Sequence, residues 1–306
     1  MKTKSTGLTL QDLGNKSFTI KTPSNQINLH CLLVACGKSK SGKGFFITNL
    51  LHQLKQAGSM DRIFLVSDTA KSNKKMLERL KIDEDDIFPT EDDSCIDEII
   101  NRIEKERDDL VEYRERLKLY EQFKAFMEDA RFKDLDEITP EMLLFFNPDT
   151  GEFEKPKHRY NGKKPVIGIF FDDVQSTPIM ASKRFRNLAI KARHVGAFDS
   201  GETPLGCSLF IAIQNWTSVG QEGVPKSIRG NLTCCAIYKT GNWKELELLT
   251  TELSGVIPKN EIMKHYDYVM NVDPKNRHNF LFVDLFPKKE HPSAFRLNYV
   301  DFIVDW

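Results

Sequence analysis

Gly37, Lys38, Ser39, Lys40, Ser41, Gly42, Lys43 and Gly44 form the most reactive-looking stretch of the chain, and they have the pattern G-x4-G-K. Successive backbone N–H groups in such a turn, together with the N-terminus of a following helix, cradle phosphates, and Lys43 can reach the β- and γ-phosphates of a nucleotide. The eighth position departs from the usual form. A Ser or Thr there ligates Mg2+ through its hydroxyl, and this chain has Gly44. Three arrangements are open. Water can replace the hydroxyl, since Mg2+ ordinarily keeps several waters. Ser41 can assist from inside the loop, although its place there suits it less. Or the site binds nucleotide and hydrolyses it slowly.

A second group lies some 130 residues on, where the apolar run Val166–Phe171 passes directly into Asp172-Asp173. An apolar strand ending in two acids suits metal-assisted hydrolysis, in which the first carboxylate holds Mg2+ and the second positions or deprotonates water. An acidic pair closing a surface turn is the alternative. Gln214-Asn215 ends a further apolar run, Ser208–Ile213. An amide at that edge either contacts a γ-phosphate or orients water, or else caps a solvent-facing turn. Arg229 precedes another strand-like run, Leu232–Tyr238, and is either a finger reaching a neighbouring subunit's phosphate or a structural ion-pair residue. His194, beside Arg193, is read as a surface or packing residue and not as a general base.

These side chains need elements to hold them. Leu29–Cys36, Arg62–Ser67, Val166–Phe171 and Ser208–Ile213 are short, non-alternating apolar runs, the pattern of parallel strands covered on both faces. Phe46, Ile47, Leu50, Leu51 and Leu54 recur at helical spacing after the glycine-rich turn, and Gly58 marks the stop. Strand, turn, helix and strand make a βαβ unit, so the fold class is α/β. From Cys95 to Phe132 the charge is dense and alternating, and Ile96, Ile99, Ile103, Leu110, Tyr113, Leu117, Tyr120 and Met127 follow a near-heptad spacing broken by Glu106 and Lys124. That predicts a long helix or helical hairpin with one apolar seam. Pro140, Asn147-Pro148 and Asp149-Thr150-Gly151 mark turns, and Lys155–Lys164 reads as a basic loop. The expected organisation is an N-terminal arm over 1–26 and one core over 27–306, interrupted by a helical insertion over 95–160.

Composition limits the possibilities further. The 306 residues carry 44 Lys+Arg against 44 Asp+Glu, a formal charge of zero, which excludes a protein that coats nucleic acid by bulk positive charge. It leaves room for a local basic surface such as Lys183, Arg184, Arg186, Lys191 and Arg193, or the 155–164 loop; a helix flank balancing the acidic 83–93 stretch is the alternative. With 40% hydrophobic residues the chain can bury a sizeable core, which excludes a disordered chain. Six cysteines without a CxxC pair read as core thiols in a reducing compartment, and the adjacent Cys234 and Cys235 should point to opposite faces of a strand. No apolar run approaches a membrane span, and the first residues do not read as a secretory signal.

Taken in order, GKSKSGKG, IFLVS, the charged insert, VIGIFFDDVQ, KARHVG, LFIAIQNW and VPKSIRGN resemble the poxvirus-type DNA-packaging ATPases of the FtsK–HerA superfamily. The resemblance covers about 27–300 without most of the insert. It implies a RecA-like P-loop core with a mainly parallel sheet, and an ATP- and Mg2+-dependent motor, usually a homo-oligomeric ring, moving double-stranded DNA without sequence preference into a capsid. Gly37 to Gly44 would bind ATP, Asp172 would manage Mg2+, and Asp173 would be the catalytic carboxylate. Gln214 would sense the γ-phosphate, and Arg229 would be the candidate arginine finger. A capsid or portal-vertex protein is the implied partner, and the host-cell cytoplasm, a viral factory or the virion the implied location. Gly44 departs from the family's Ser or Thr. Two other readings stand beside this one: a motor of the same superfamily with another DNA cargo, and a nucleotide-dependent scaffold with turnover weakened by Gly44.

Overall fold

Five-residue apolar segments stay extended here because both of their faces are covered, so their side chains are buried, apart from the half-buried Arg62 that opens one of them. The computed structural model describes residues 20, 22–70, 74–128, 140–147, 149, 152–217 and 223–304. In chain order the first elements are β1 (Leu32–Cys36), α1 (Lys43–Gln56), β2 (Arg62–Val66), α2 (Lys74–Leu80), β3 (Ile87–Phe88), α3 (Cys95–Glu128), α4 (Pro140–Leu143), β4 (Phe146–Asn147) and β5 (Glu152–Phe153). There follow β6 (Ile167–Phe171), α5 (Pro178–Ala181), α6 (Lys183–Lys191), β7 (Ser208–Ile213), α7 (Lys226–Arg229) and β8 (Cys234–Tyr238). The last are α8 (Trp243–Leu253), α9 (Lys259–Val272), β9 (Phe280–Asp284), β10 (Phe295–Leu297) and β11 (Asp301–Phe302). The expected turn residues Pro148, Thr150 and Gly151, most of the 1–26 arm and the Met127 side chain lie outside the described residues.

Nine strands form one sheet in the order β11-β10-β9-β8-β1-β7-β6-β2-β3. The pairs from β3 through β8 are parallel, and β9, β10 and β11 extend the sheet antiparallel. β7 lies between the strand that feeds the glycine-rich turn and the strand that ends in the acids. This is an α/β core with a mainly parallel central sheet flanked by helices. Alternation along each strand divides its side chains between two apolar layers. Leu32, Val34 and Cys36 pack with residues of α3, α6, α8 and α9, while Leu33 and Ala35 pack with α1 and α2. Cys235 falls in the first layer and Cys234 in the second, as adjacent strand residues must. All six cysteines are free and buried.

α1 carries its apolar stripe as the spacing predicts, with Phe46, Ile47, Leu50, Leu51 and Leu54 buried, and Gly58 beyond its end takes a left-handed φ of 66°. β1 begins later than the apolar run suggests: Leu29 forms an isolated bridge with Ile20 instead. α3 is one continuous helix of 34 residues. Ile96, Ile99, Ile103 and Leu110 are buried against the main core, whereas farther along Phe123 packs on Phe153 and Tyr120 on Phe145. The break at Glu106 has a physical cause. Its carboxylate accepts from Arg62 at the start of β2 (2.5 Å) and from Arg159 (3.5 Å), and Arg62 also forks onto both oxygens of Asp86 (2.7 and 2.8 Å). A charged residue on the seam is tolerated because it is paired there.

Candidate nucleotide site

β1 ends at Cys36 and hands the chain to the turn, which is fastened at its start by Gly37 N–H donating to Ile213 O (3.1 Å) at the end of β7. Glycine is required at 37, since a Cβ there would run into Tyr238. Gly42 holds a left-handed φ of 102° and leads into α1 without a side-chain cap or an acid in the first turn. The first helical bond is Phe46 N–H to Gly42 O (2.9 Å), so the N–H groups of Lys43, Gly44 and Phe45 have no intrahelical acceptor. Lys43 Nζ folds back onto the loop and donates to Gly37 O (2.7 Å) and Lys38 O (3.0 Å). Burial lowers its ammonium below the ordinary lysine value, opposed by Cys36, Asp172 and Asp173. Ser41 Oγ is buried without a hydrogen-bond partner among the described residues, and it lies on the Gly37 side of the loop, 3.1 Å from where a Gly37 Cβ would stand. Lys38, Ser39 and Lys40 are exposed.

β6 delivers the acids to the same sheet edge. Asp172 is fixed by its N–H donating to Val66 O (3.0 Å) at the end of β2. Its carboxylate stands against the helix start, with Oδ1 at 3.3 Å and Oδ2 at 3.6 Å from the position a Cβ on residue 44 would occupy. Burial, then the neighbouring Asp173, push its pKa up to about 6, and Lys43 pulls the other way. Asp173 is exposed and has a left-handed φ of 55°. Gln214 Nε2 donates to Asp173 Oδ1 (3.4 Å). The structure thus gathers Lys43, Gly44, Asp172, Asp173 and Gln214 around one loop mouth. A half-buried carboxylate beside a second carboxylate, facing the free side of a glycine, fits a divalent cation, and Asp172 is the residue that would hold it.

Two residues to which no motif assigns a role also build this geometry. Gln175 Oε1 accepts from both Gln214 N (2.7 Å) and Asn215 N (3.1 Å), so it locks the end of β7 to the turn after the acids. It stands three residues past Asp172, and its position after an acidic strand end was the available signal. His278 Nδ1 bonds Ser41 O (3.0 Å), tying the glycine-rich loop to a segment nearly 240 residues away. No periodicity announces such a contact.

Arg229 is placed differently from the loop residues. Its guanidinium donates to Glu252 Oε1 (2.5 Å), and Glu252 Oε2 accepts the Trp216 indole N–H (2.8 Å). Among the described residues no hydrogen bond or ion pair joins Arg229 to Lys43, Asp172, Asp173 or Gln214. His194 is exposed in a short 3-10 turn, Ala192–His194. The basic stretches are partly neutralised from within: Arg184 pairs with Asp93 (2.7 Å) and Asp97 (2.5 Å), Arg159 with Asp83 (2.9 Å), and Lys164 with Glu202 (2.8 Å). Lys183, Arg186, Lys191 and Arg193 are exposed, and none pairs with a carboxylate among the described residues.

Among the described residues no helix is long and apolar enough to cross a membrane, and no group of three or more His, Cys, Asp or Glu side chains is arranged to hold a metal ion. No protein-family model and no curated protein matches the sequence. Solved structures do. ATPases 2 and 3 of EssC from Geobacillus thermodenitrificans match with a TM-score of 0.45 at 15% identity, over 90% of this chain and 41% of that one. The genome-packaging NTPase B204 of Sulfolobus turreted icosahedral virus 2, in complex with ATP-gammaS, matches with a TM-score of 0.42 at 10% identity, over 87% of this chain and 95% of that one. B204 from Sulfolobus turreted icosahedral virus, described as a DNA-packaging ATPase, matches with a TM-score of 0.40 at 11% identity, over 87% and 96%. This chain therefore spans less than half of the EssC chain and nearly all of B204, and at such identities and scores the functional reading stands on the chain's own residues.

Proposed function

We propose that the chain is an ATP-hydrolysing motor that moves double-stranded DNA into a viral capsid, working as a homo-oligomeric ring. The observation that carries the hydrolytic part is the convergence of Lys43, Asp172, Asp173 and Gln214 at the mouth of an uncapped helix N-terminus. The loop N–H groups and Lys43 bind the triphosphate. When bound, Mg2+ supplies neutralisation of charge on the β- and γ-phosphate oxygens. Asp173, held by Gln214, accepts a proton from the attacking water as its oxygen bonds the γ-phosphorus and the bond to the bridging oxygen of ADP breaks. Arg229 is the candidate arginine finger for a neighbouring subunit's phosphate, and within its own subunit its guanidinium is held by the ion pair with Glu252.

The DNA cargo and the capsid partner are the finer part of the reading, supported by the ordered set of motifs and by the exposed cations of α6. The 95–160 segment is the proposed docking element for a capsid or portal-vertex protein. The test is ATP hydrolysis with and without double-stranded DNA at concentrations where rings form. DNA should stimulate turnover, Lys43→Ala should abolish nucleotide binding, and Asp173→Asn should reduce kcat by about two to four orders of magnitude with binding retained. Tight ATP binding without DNA-stimulated turnover would instead favour a nucleotide-dependent scaffold, the reading that the missing hydroxyl at Gly44 supports.

A further inference from the structure

Trp216 is wholly buried just past the end of β7, two residues after Gln214, and three hydrogen bonds fix it there. Its backbone N–H donates to Glu245 Oε1, its indole N–H donates to Glu252 Oε2 (2.8 Å), and its O accepts the N–H of Val224 (3.1 Å). Glu245 and Glu252 are seven residues apart on α8, two turns along one helix face, so α8 grips Trp216 at both its backbone and its ring. The bond from Val224 ties the same residue to the segment that leads into α7.

Glu252 has a second partner. Its other oxygen, Oε1, accepts from Arg229 Nη1 (2.5 Å). One carboxylate therefore joins the tryptophan that follows the site's amide to the arginine at the end of α7. The guanidinium is incompletely satisfied in this place: the Arg229 side chain is only 14% exposed, and its Nε–H is buried with no acceptor among the described residues. A buried donor without an acceptor costs free energy, so it is the bond to Glu252 that keeps Arg229 where it stands. At the other end, Gln214 donates to Asp173 Oδ1 (3.4 Å). Contacts thus run without a gap from the acids at the loop mouth, through the end of β7, to Arg229.

Resting on the reading of the nucleotide site and of Arg229 given above, we propose that Glu252 is a positioning residue for hydrolysis in the neighbouring subunit. It sets where Arg229 stands and ties that place to the strand end that carries Gln214. A shift of Gln214 as the γ-phosphate leaves one site moves Trp216, and Glu252 passes the movement to the arginine offered to the next site. A glutamine at 252 would fill the same volume with a single acceptor oxygen. Its NH2 would meet whichever N–H, indole or guanidinium, that oxygen does not serve. Glu252→Gln therefore breaks the bridge without opening a cavity.

The test is DNA-stimulated ATP hydrolysis by the full chain, in rings assembled from one kind of subunit and from equal mixtures of two. Glu252→Gln should lower kcat by about tenfold or more and keep ATP affinity, read by calorimetry, within about twofold, because the residue acts on the next subunit's site. Trp216→Phe, which removes the indole N–H and keeps an aromatic ring, should fall in the same class. Mixing supplies a readout that lost packing would not move. Lys43→Ala subunits, expected to bind no nucleotide, still offer an intact Arg229. They should raise the turnover of Arg229→Ala subunits, and equally of Glu252→Gln subunits, above that of either preparation alone. Restoration of Arg229→Ala but not of Glu252→Gln would overturn the role of Glu252 alone, as would a wild-type kcat in Glu252→Gln or a loss of ATP binding in proportion to kcat. An Arg229→Ala protein that turns over normally, or that Lys43→Ala subunits do not restore, would overturn the finger reading on which the inference rests. Wild-type protein without ATP turnover would overturn the hydrolytic site itself.

Discussion

Asp172 carries its charge in a place that resists it: half-buried, beside Asp173 and against the backbone of Gly44. Its folded pKa of about 6 stands above the ordinary value of 3.8, so the folded state binds the proton more tightly than the unfolded chain does. The resulting stability is complete below about pH 4 and lost as pH rises through 6. Metal-free Asp172→Asn should therefore melt a few degrees above wild type at pH 8, and the difference should vanish by pH 4 in thermal melts. Millimolar Mg2+ with nucleotide should remove most of that difference, because a divalent cation satisfies the ionised carboxylate of the wild type and has less to offer an amide. Position 44 gives a second prediction. A Ser there places its Cβ 3.3 Å from Asp172 Oδ1, a contact that a small carboxylate shift relieves. Its hydroxyl then lies where it can share the metal. Gly44→Ser should lower the Mg2+ concentration for half-maximal hydrolysis by about threefold to tenfold, on the order of 1 kcal/mol for one added polar contact. An unchanged Mg2+ titration would show that water already serves at that position.

Strands and helices differ in how completely they reveal themselves. β1, β2, β6 and β7 are short and apolar because α helices cover both faces of the sheet, and that cause is written in each segment alone. The long α3 is less self-contained. Its seam reads as a repeat broken at Glu106, and the break makes sense only with Arg62, Asp86 and Arg159 in place. Glu106→Ala should cost about 1–3 kcal/mol in denaturant unfolding, since it leaves Arg62 with Asp86 as its remaining partner in a nearly dry site. Leu110→Ala, which removes only apolar contact from the same seam, should cost about 2–4 kcal/mol and serves as the packing reference. An effect at Glu106 below 0.5 kcal/mol, read as roughly the size of an ordinary surface substitution, would mean that the network does not anchor the helix.

At the scale of the whole molecule the zero net charge resolves into pairs and remainders. Arg184 answers Asp93 and Asp97, Arg159 answers Asp83, and Arg62 with Arg102 answers Asp86, so part of the acidic 83–93 stretch is balanced from within the fold. Lys183, Arg186, Lys191 and Arg193 stay exposed without a carboxylate partner among the described residues, and together they offer α6 and its flank to a polyanion. If double-stranded DNA is the cargo, Arg186→Ala with Lys191→Ala should weaken it and reduce the slope of log affinity against log salt by about two. Arg184→Ala should change that slope little, because its guanidinium is already engaged. Equal effects from the paired and the unpaired residues would remove α6 from the DNA surface.

The α/β class, the strand that feeds the glycine-rich loop, the amphipathic helix behind it and the strand that ends in Asp172-Asp173 are all legible in the residues alone. Each of these depends on neighbours a few residues apart, through hydrophobic period, glycine freedom and the alternation of a strand. Gly44 was equally visible as a missing hydroxyl. What faces that gap is visible in three dimensions alone, and it is the carboxylate of Asp172. The tertiary structure also shows that Gln175 clamps the end of β7, that Arg229 rests on Glu252, and that His278 reaches Ser41 across nearly 240 residues. Such contacts follow from strand order and from where loops meet at one sheet edge. A one-dimensional pattern carries no record of which distant segments share that edge, and so the chemistry of the loop could be read from the residues while its walls and its partners could not.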